Sequence, residues 1–219
     1  DKGLFVKEIE EQLLSGDIHL AVHSMKDMPA HPAQGLAFSK LWKRADARDV
    51  LILREKHSLE ELPRNAVIGT GSARRAGQLK RLRSDLNIID IRGNVDTRLR
   101  KMEEQKLDGI VLAAAGLKRL GMEDKITCYF STNEMIPAPA QGILALEIKK
   151  ENTKLQAMLD SLSDFDTNLA GSTERAFLEE IGGDCHIPVG AFCEITDGKL
   201  KLRTVYGREH DKRLYYAEV

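Results

Sequence analysis

Phe5, Ile9 and Leu13, with Val6 and Leu14 beside them, recur at helical spacing until Gly16-Asp17 breaks the pattern, which predicts an amphipathic helix over residues 4–15. Residues 18–22 form a short apolar run that suits a buried strand, and they deliver His23-Ser24-Met25-Lys26-Asp27-Met28-Pro29 into the loop that follows. Strand ends are where α/β folds place ligands. The rhythm then repeats, with strands predicted at 49–53, 66–69, 87–91 and 109–113 and helices at 72–83 and 95–106. Strand alternating with helix argues for a largely parallel sheet covered on both faces. A further strand at 143–148 and a helix at 155–162 follow. After Asp164 the character changes. A helix ends at Gly182-Gly183, apolar alternation runs through Val189, Ala191, Cys193 and Ile195, and Asp197-Gly198 marks a turn before Leu200 and Leu202. That is a small α+β unit, and no internal repeat accompanies it.

The composition narrows the function classes. A chain of 219 residues has room for two or three small domains, and 42% hydrophobic with 31% charged residues is globular rather than disordered. Lys+Arg 33 against Asp+Glu 34 leaves a net charge of -1, so no whole-protein field favours nucleic acid or an anionic membrane. No apolar run approaches bilayer length. Cys128, Cys185 and Cys193 lack the spacing that zinc or an iron–sulfur cluster requires, so no metal is expected. An odd cysteine count and no leader pattern predict a reducing compartment, the cytoplasm by default. The opening on Asp1, directly before a helix, predicts that an N-terminal part of the natural protein lies outside this sequence.

Positive charge is concentrated locally. Residues 71–100 hold eight basic side chains against three acidic ones, a local charge of +5. Gly69-Thr70-Gly71-Ser72-Ala73-Arg74-Arg75 runs from a predicted strand end into a predicted helix start, where backbone N–H groups and a hydroxyl can receive an anion. Two arginines in a first helical turn oppose the helix dipole unless an anion offsets them. Lys80, Arg81, Arg83 and Arg100 read as a solvated helix face, whereas Arg74, Arg75, Arg92 and Arg98 sit at strand–helix junctions that converge on a cleft. Guanidinium forks fit carboxylates or phosphates, so the ligand is a polyanion. Without GxxxxGK[ST], or GxGxxG after a strand, nucleotides are disfavoured and polycarboxylates stay open. Cys185, in Gly182-Gly183-Asp184-Cys185-His186, is either a small buried hydrophobe or a reactive thiol; a Cys–His dyad is disfavoured because adjacent side chains in extended chain face opposite ways. Asp27 beside Lys26 reads by default as a solvated ion pair, and His23 as a structural histidine.

Seven segments in order resemble the porphobilinogen deaminase (hydroxymethylbilane synthase) family: 2–8 (Lys-Gly-Leu-Phe-Val-Lys-Glu), 23–29, 69–75, 92–98 (Arg-Gly-Asn-Val-Asp-Thr-Arg), 113–121 (Ala-Ala-Ala-Gly-Leu-Lys-Arg-Leu-Gly), 139–142 (Pro-Ala-Gln-Gly) and 183–190 (Gly-Asp-Cys-His-Ile-Pro-Val-Gly). The resemblance implies an α/β fold: two periplasmic-binding-protein-like lobes facing a cleft, plus a small α+β C-terminal domain. It assigns residues 1–42 and 139–160 to the first lobe, 43–138 to the second and 161–219 to the third domain, with the family's opening segment and the end of its third domain outside the chain. It implies a dipyrromethane cofactor attached through Cys185, with Lys26, Ser72, Arg74, Arg75, Arg92, Arg98 and Gln141 as its contacts. Asp27 would be the catalytic carboxylate, and Lys2, Ala113 and Arg119 would meet the substrate. The implied reaction deaminates porphobilinogen and joins four units into hydroxymethylbilane, carried out by a cytoplasmic monomer that uses neither nucleic acid nor membrane. Lys2 and Lys7 fall near the family's mobile flap. Departures from the family are Gly71 where a second serine is common, Pro139-Ala140 before Gln141, and His186 where glutamine is usual. The rival class is a non-catalytic ligand-binding protein, which needs neither Cys185 nor an acid beside the arginines.

Overall fold

A computed structural model describes residues 2–55, 58–182, 187–207 and 213–219, the side chains of 2–5 excepted. The chain opens with α1 (Lys2–Ser15), β1 (Ala21–Ser24) and β2 (Leu36–Phe38). It continues through β3 (Asp49–Leu53), β4 (Val67–Gly69), α2 (Ala73–Leu82), β5 (Asn87–Ile89), α3 (Val95–Glu104), β6 (Gly109–Ala113), α4 (Ala114–Arg119) and β7 (Cys128–Tyr129). It closes with β8 (Leu144–Lys149), α5 (Thr153–Asp160), α6 (Phe165–Glu180), β9 (Val189–Thr196), β10 (Lys199–Gly207) and β11 (Leu214–Glu218).

These strands form three sheets. One is antiparallel, in the order β1-β8-β2. The largest has the order β5-β4-β6-β3-β7, and the third, β11-β10-β9, is antiparallel. β3 explains how the large sheet is held: Asp-Val-Leu-Ile-Leu is buried at every position, as a strand covered on both faces must be. Val50 and Ile52 join Ile110, Leu112 and Leu117 in one apolar layer, while Leu51 and Leu53 join Ile68, Leu79 and Val111 in the other. Burying each such side chain stabilises by about 1.5–3 kcal/mol, so a one-residue slip, which exchanges the two faces, is strongly disfavoured.

Local chemistry starts the helices. The side chains of Ser72, Asn94, Asn152 and Asp164 accept from the backbone N–H three residues on, capping α2, α3, α5 and α6, each worth about 1 kcal/mol. Asp197 and Gly198, with φ of 52° and 71°, make the hairpin turn between β9 and β10 that the sequence signals.

The expectation of a largely parallel sheet needs correction. β5-β4-β6 is parallel, but β3 runs antiparallel to both β6 and β7. An apolar run of five carries no information about its own direction, and β3 pairs with β6 rather than with its successor β4. β1 starts three residues later than the predicted strand, so His23 and Ser24 lie in it and Met25–Asp27 form a single 3-10 turn rather than an open loop. Among the described residues no helix is long and apolar enough to cross a membrane, and no three His, Cys, Asp or Glu side chains converge as a metal site.

Candidate active site

The turn carrying Lys26 and Asp27 is fixed at its backbone. Met25 N–H donates to Ile143 at 3.0 Å, and Met28 N–H closes the turn on Met25 at 3.1 Å. From α6, half-buried Arg175 donates to the carbonyls of Met25 (3.2 Å), Met28 (3.4 Å), Ala30 (3.0 Å) and Pro29. Burial pulls its guanidinium below the ordinary value, and Glu179 opposes this. Arg175 was not among the candidates that the sequence offered, because its targets lie about 150 positions away and are carbonyls, which carry no sequence signature.

Behind the turn lies a buried polar cluster. Arg74 and Arg75, 4% and 5% exposed, both pair with Asp49, which is fully buried at the head of β3. Arg74 Nη1 reaches Asp49 Oδ2 at 2.6 Å and the Ile136 carbonyl at 2.7 Å. Arg75 places Nε and Nη2 at 2.9 and 2.8 Å from Asp49 Oδ1 and Nη1 at 3.2 Å from the Val111 carbonyl. Gln141 Nε2 donates to Asp49 and to the Ala47 carbonyl, and Lys26 Nζ donates to Gln141 Oε1 at 3.1 Å. Burial works to raise the Asp49 carboxyl, but Arg74 and Arg75 overcome it and hold the group below the usual carboxylate range. The sequence reading of Arg74 and Arg75 as cleft-facing did not foresee this: both guanidiniums are buried and paired with Asp49. Asp49 itself was missed, although a charged residue opening a wholly apolar strand requires a buried partner.

Lys26 is half-buried. Burial and then the nearby Arg75 pull its ammonium from the usual 10.5 down to about 7, against Asp27 and Asp49. Arg98 is held below its ordinary value by burial and Arg75, opposed by Asp27 and Asp90. The structure thus brings Lys26, Asp27, Arg75 and Arg98 together, with Asp49, Arg74 and Gln141 behind them. Arg98 also donates to the Gly93 carbonyl at 2.7 Å. Exposed Arg92 pairs with Asp90 at 3.0 Å, and both line an open depression of about 350 Å³ together with Thr70, Gly71 and Ser72. Ser72 Oγ accepts from Arg75 N–H at 3.4 Å, so its first duty is to cap α2. A Cβ on Gly71 would come within 2.9 Å of the Ile91 carbonyl and of Asp90 Oδ1, which explains the glycine there.

The remaining candidates are more scattered. Arg119, exposed at the end of α4, donates to the Gly142 carbonyl at 3.2 Å, and Ala113 stands opposite Asp49 in the β3–β6 register. Cys185 and His186 lie outside the described residues, as does the side chain of Lys2. His23 Nε2 lies 3.0 Å from Glu147 Oε2, in keeping with a structural histidine; Glu147 is fully buried and its Oε1 has no partner among the described residues. The solvated-face reading fits Arg100, paired with Glu104 at 3.5 Å, but not Arg83, which binds Asp85 and reaches the carbonyls of Leu59, Glu60, Leu62 and Pro63.

Comparison with known proteins decides what this cluster belongs to. Residues 1–157 match the family model described as porphobilinogen deaminase, dipyromethane cofactor binding domain, and residues 169–216 match the porphobilinogen deaminase C-terminal domain. The chain belongs to the porphobilinogen deaminase family. The porphobilinogen deaminase of Clostridioides difficile (strain 630) is 52% identical over 100% of this chain and 73% of its own length. That of Lachnospira eligens is 54% identical over 100% of this chain and 75% of its own. Among solved structures, the periplasmic VFT2 domain of Bordetella pertussis BvgS is similar at 15% identity and a TM-score of 0.45, covering 78% of this chain and 72% of that one, too distant to bear on function. In this porphobilinogen deaminase family member, the matched cofactor-binding region contains the site residues described above except Arg175 and the candidate Cys185, which fall in the matched C-terminal domain.

Proposed function

We propose that the site deaminates porphobilinogen and joins four of the resulting units head to tail on a dipyrromethane primer, releasing hydroxymethylbilane for tetrapyrrole (heme) synthesis. The observation that carries this reading is the exposed Asp27 carboxylate, whose negative charge acts on both Lys26 and Arg98, the two cations that Arg75 opposes. The residues fit a polycarboxylate cofactor. Lys26 and Arg98 are both pushed toward their neutral forms by burial and by Arg75, a strain that bound carboxylates relieve. Lys26, Ser72, Arg74, Arg75, Arg92 and Arg98 would hold those carboxylates, the two buried arginines sharing their charge with Asp49; Gln141 would act from behind, and Cys185 would carry the thioether. When bound, the dipyrromethane supplies the α-carbon nucleophile that the protein itself lacks.

The chain's own residues do the rest. Arg119, Ala113 and Lys2 would receive the incoming porphobilinogen. As ammonia leaves the substrate, positive charge develops on its pyrrole ring, and Asp27 stabilises that charge where water alone would have to reorganise around it. Arg175 keeps the turn that carries Asp27 in place. The working units are residues 1–42 with 139–160, 43–138 and 161–219, in a cytoplasmic monomer.

Intact-mass analysis of the purified protein tests the reading together with a porphobilinogen-consumption assay. The expected result is an adduct of two porphobilinogen-derived units, absent from Cys185→Ser, and conversion of porphobilinogen to hydroxymethylbilane. An unmodified mass in protein that still converts porphobilinogen removes the covalent primer, and no conversion by adduct-bearing protein removes the activity.

A further inference from the structure

The polar groups behind the cleft form a directed chain. Asp49 and Gln141 are both fully buried, so neither is satisfied by bulk water. Gln141 gives its Nε2 to two acceptors, the Ala47 carbonyl at 2.7 Å and Asp49 Oδ1 at 2.9 Å, and its Oε1 receives Lys26 Nζ at 3.1 Å. Turning this amide over would set its oxygen against two acceptors and its NH2 against an ammonium, so one orientation alone is satisfied. Asp49 thereby determines which face Gln141 shows to Lys26. On its other side Asp49 holds both guanidiniums of α2.

We propose that Asp49 is a positioning residue, acting through Gln141 and Arg75 to hold Lys26 in place beside Asp27 and to keep its ammonium charged. The groups facing Lys26 are Arg75 and Arg74 from α2, Asp49 from β3 and Asp27 from its own turn. The two arginines drive Lys26 toward the neutral amine, and the two carboxylates oppose them. Removing the Asp49 charge leaves both guanidiniums acting on Lys26, with Asp27 the remaining opposing carboxylate among the described residues. Removing the Gln141 oxygen takes away an acceptor that favours the charged form. Both changes lower the pH at which Lys26 loses its proton. The inference rests on the proposed function only in taking Lys26 and Asp27 as the working groups.

The test titrates Lys26 by NMR in the full chain carrying isotopically labelled lysine, without substrate, the resonance being assigned with Lys26→Arg. In Asp49→Asn the Lys26 midpoint should fall clearly below that of wild type whose mass shows the same adduct state. Gln141→Met keeps the volume and the Arg74–Asp49–Arg75 pairs, so it should remain folded by circular dichroism and still lower the Lys26 midpoint. It decides the matter if Asp49→Asn does not fold. An unmoved Lys26 midpoint in folded Gln141→Met overturns the proposal, as does one in folded Asp49→Asn. A lowered midpoint with unchanged porphobilinogen turnover upholds the coupling and counts instead against Lys26 in the proposed reaction.

Discussion

Arg175→Met removes the clamp on the turn that carries Lys26 and Asp27 while keeping most of the side chain's apolar length. Four carbonyls lose a donor, but those of Pro29 and Ala30 are exposed and water replaces the guanidinium there. The Met28 contact, at 3.4 Å, is already near the limit of a hydrogen bond. That leaves the Met25 carbonyl, at 3.2 Å, as the main loss, offset in part because a half-buried guanidinium no longer has to be desolvated. A net destabilisation of about 1–2 kcal/mol follows, or roughly 2–8 °C in Tm for a chain of this size. Turnover should suffer far more, since a turn displaced by about 1 Å can cost on the order of a hundredfold in rate. Arg175→Lys, which keeps the charge but cannot span several carbonyls, should fall between. Steady-state kinetics beside differential scanning calorimetry separate the two effects. Turnover of Arg175→Met within a few fold of wild type would refute the clamp, as would an activity loss that disappears on cooling below the unfolding range.

Two further substitutions test packing and charge near the cleft. Gly71→Ser forces a Cβ against the Ile91 carbonyl, a backbone atom that cannot swing aside, so denaturant unfolding should show a loss of about 1–3 kcal/mol; unchanged stability would mean that the loop yields freely. Glu147→Gln tests the buried carboxyl whose Oε1 has no partner among the described residues: burial raises its pKa above 4.5, against His23 and aided by Glu10. A carboxyl raised in the folded state binds its proton more tightly there than in the unfolded chain, so wild-type stability falls as pH climbs from about 4.5 through the folded value. The glutamine escapes that loss, and its Tm should equal or exceed wild type at pH 7, with the difference shrinking toward pH 4. A clear loss of Tm at pH 7 would show that the charge itself is needed.

Much of this was legible in the chain. The periodicity placed α2, α3, β3 and β6 within a few residues, because those elements bury one clear face or, for β3, both. The basic segment signalled that an anion is needed near the start of α2, and Asp49 is one that the structure supplies; Asp27 drew attention only through the family resemblance, since by its own neighbours it read as a solvated ion pair. What the sequence hid was partnership at long range. Asp49 is 25 and 26 positions from the arginines that neutralise it, and nothing in a one-dimensional pattern joins them. The inward turn of both arginines follows from that pairing and was hidden with it. Arg175 acts on bare carbonyls, which every residue possesses, and β2 and β7 are too short for alternation to register.

The central claim is that the Asp27 carboxylate, beside Lys26 and near Arg98, promotes the loss of ammonia from porphobilinogen. A charge about 4 Å from the developing cation contributes on the order of 4 kcal/mol at an effective dielectric near 20. Even if only part of that is specific to the transition state, neutralisation should cost roughly a hundredfold or more in turnover. The decisive measurement is the rate of ammonia release from porphobilinogen by Asp27→Asn, in protein whose mass shows the same adduct as wild type, with Asp27→Glu beside it. Asp27→Asn should be folded, bind porphobilinogen and release almost no ammonia, while Asp27→Glu, which keeps the charge displaced by one methylene, retains part of the rate. Ammonia release by Asp27→Asn within a few fold of wild type would contradict the claim and leave Asp27 as a structural neighbour of Lys26.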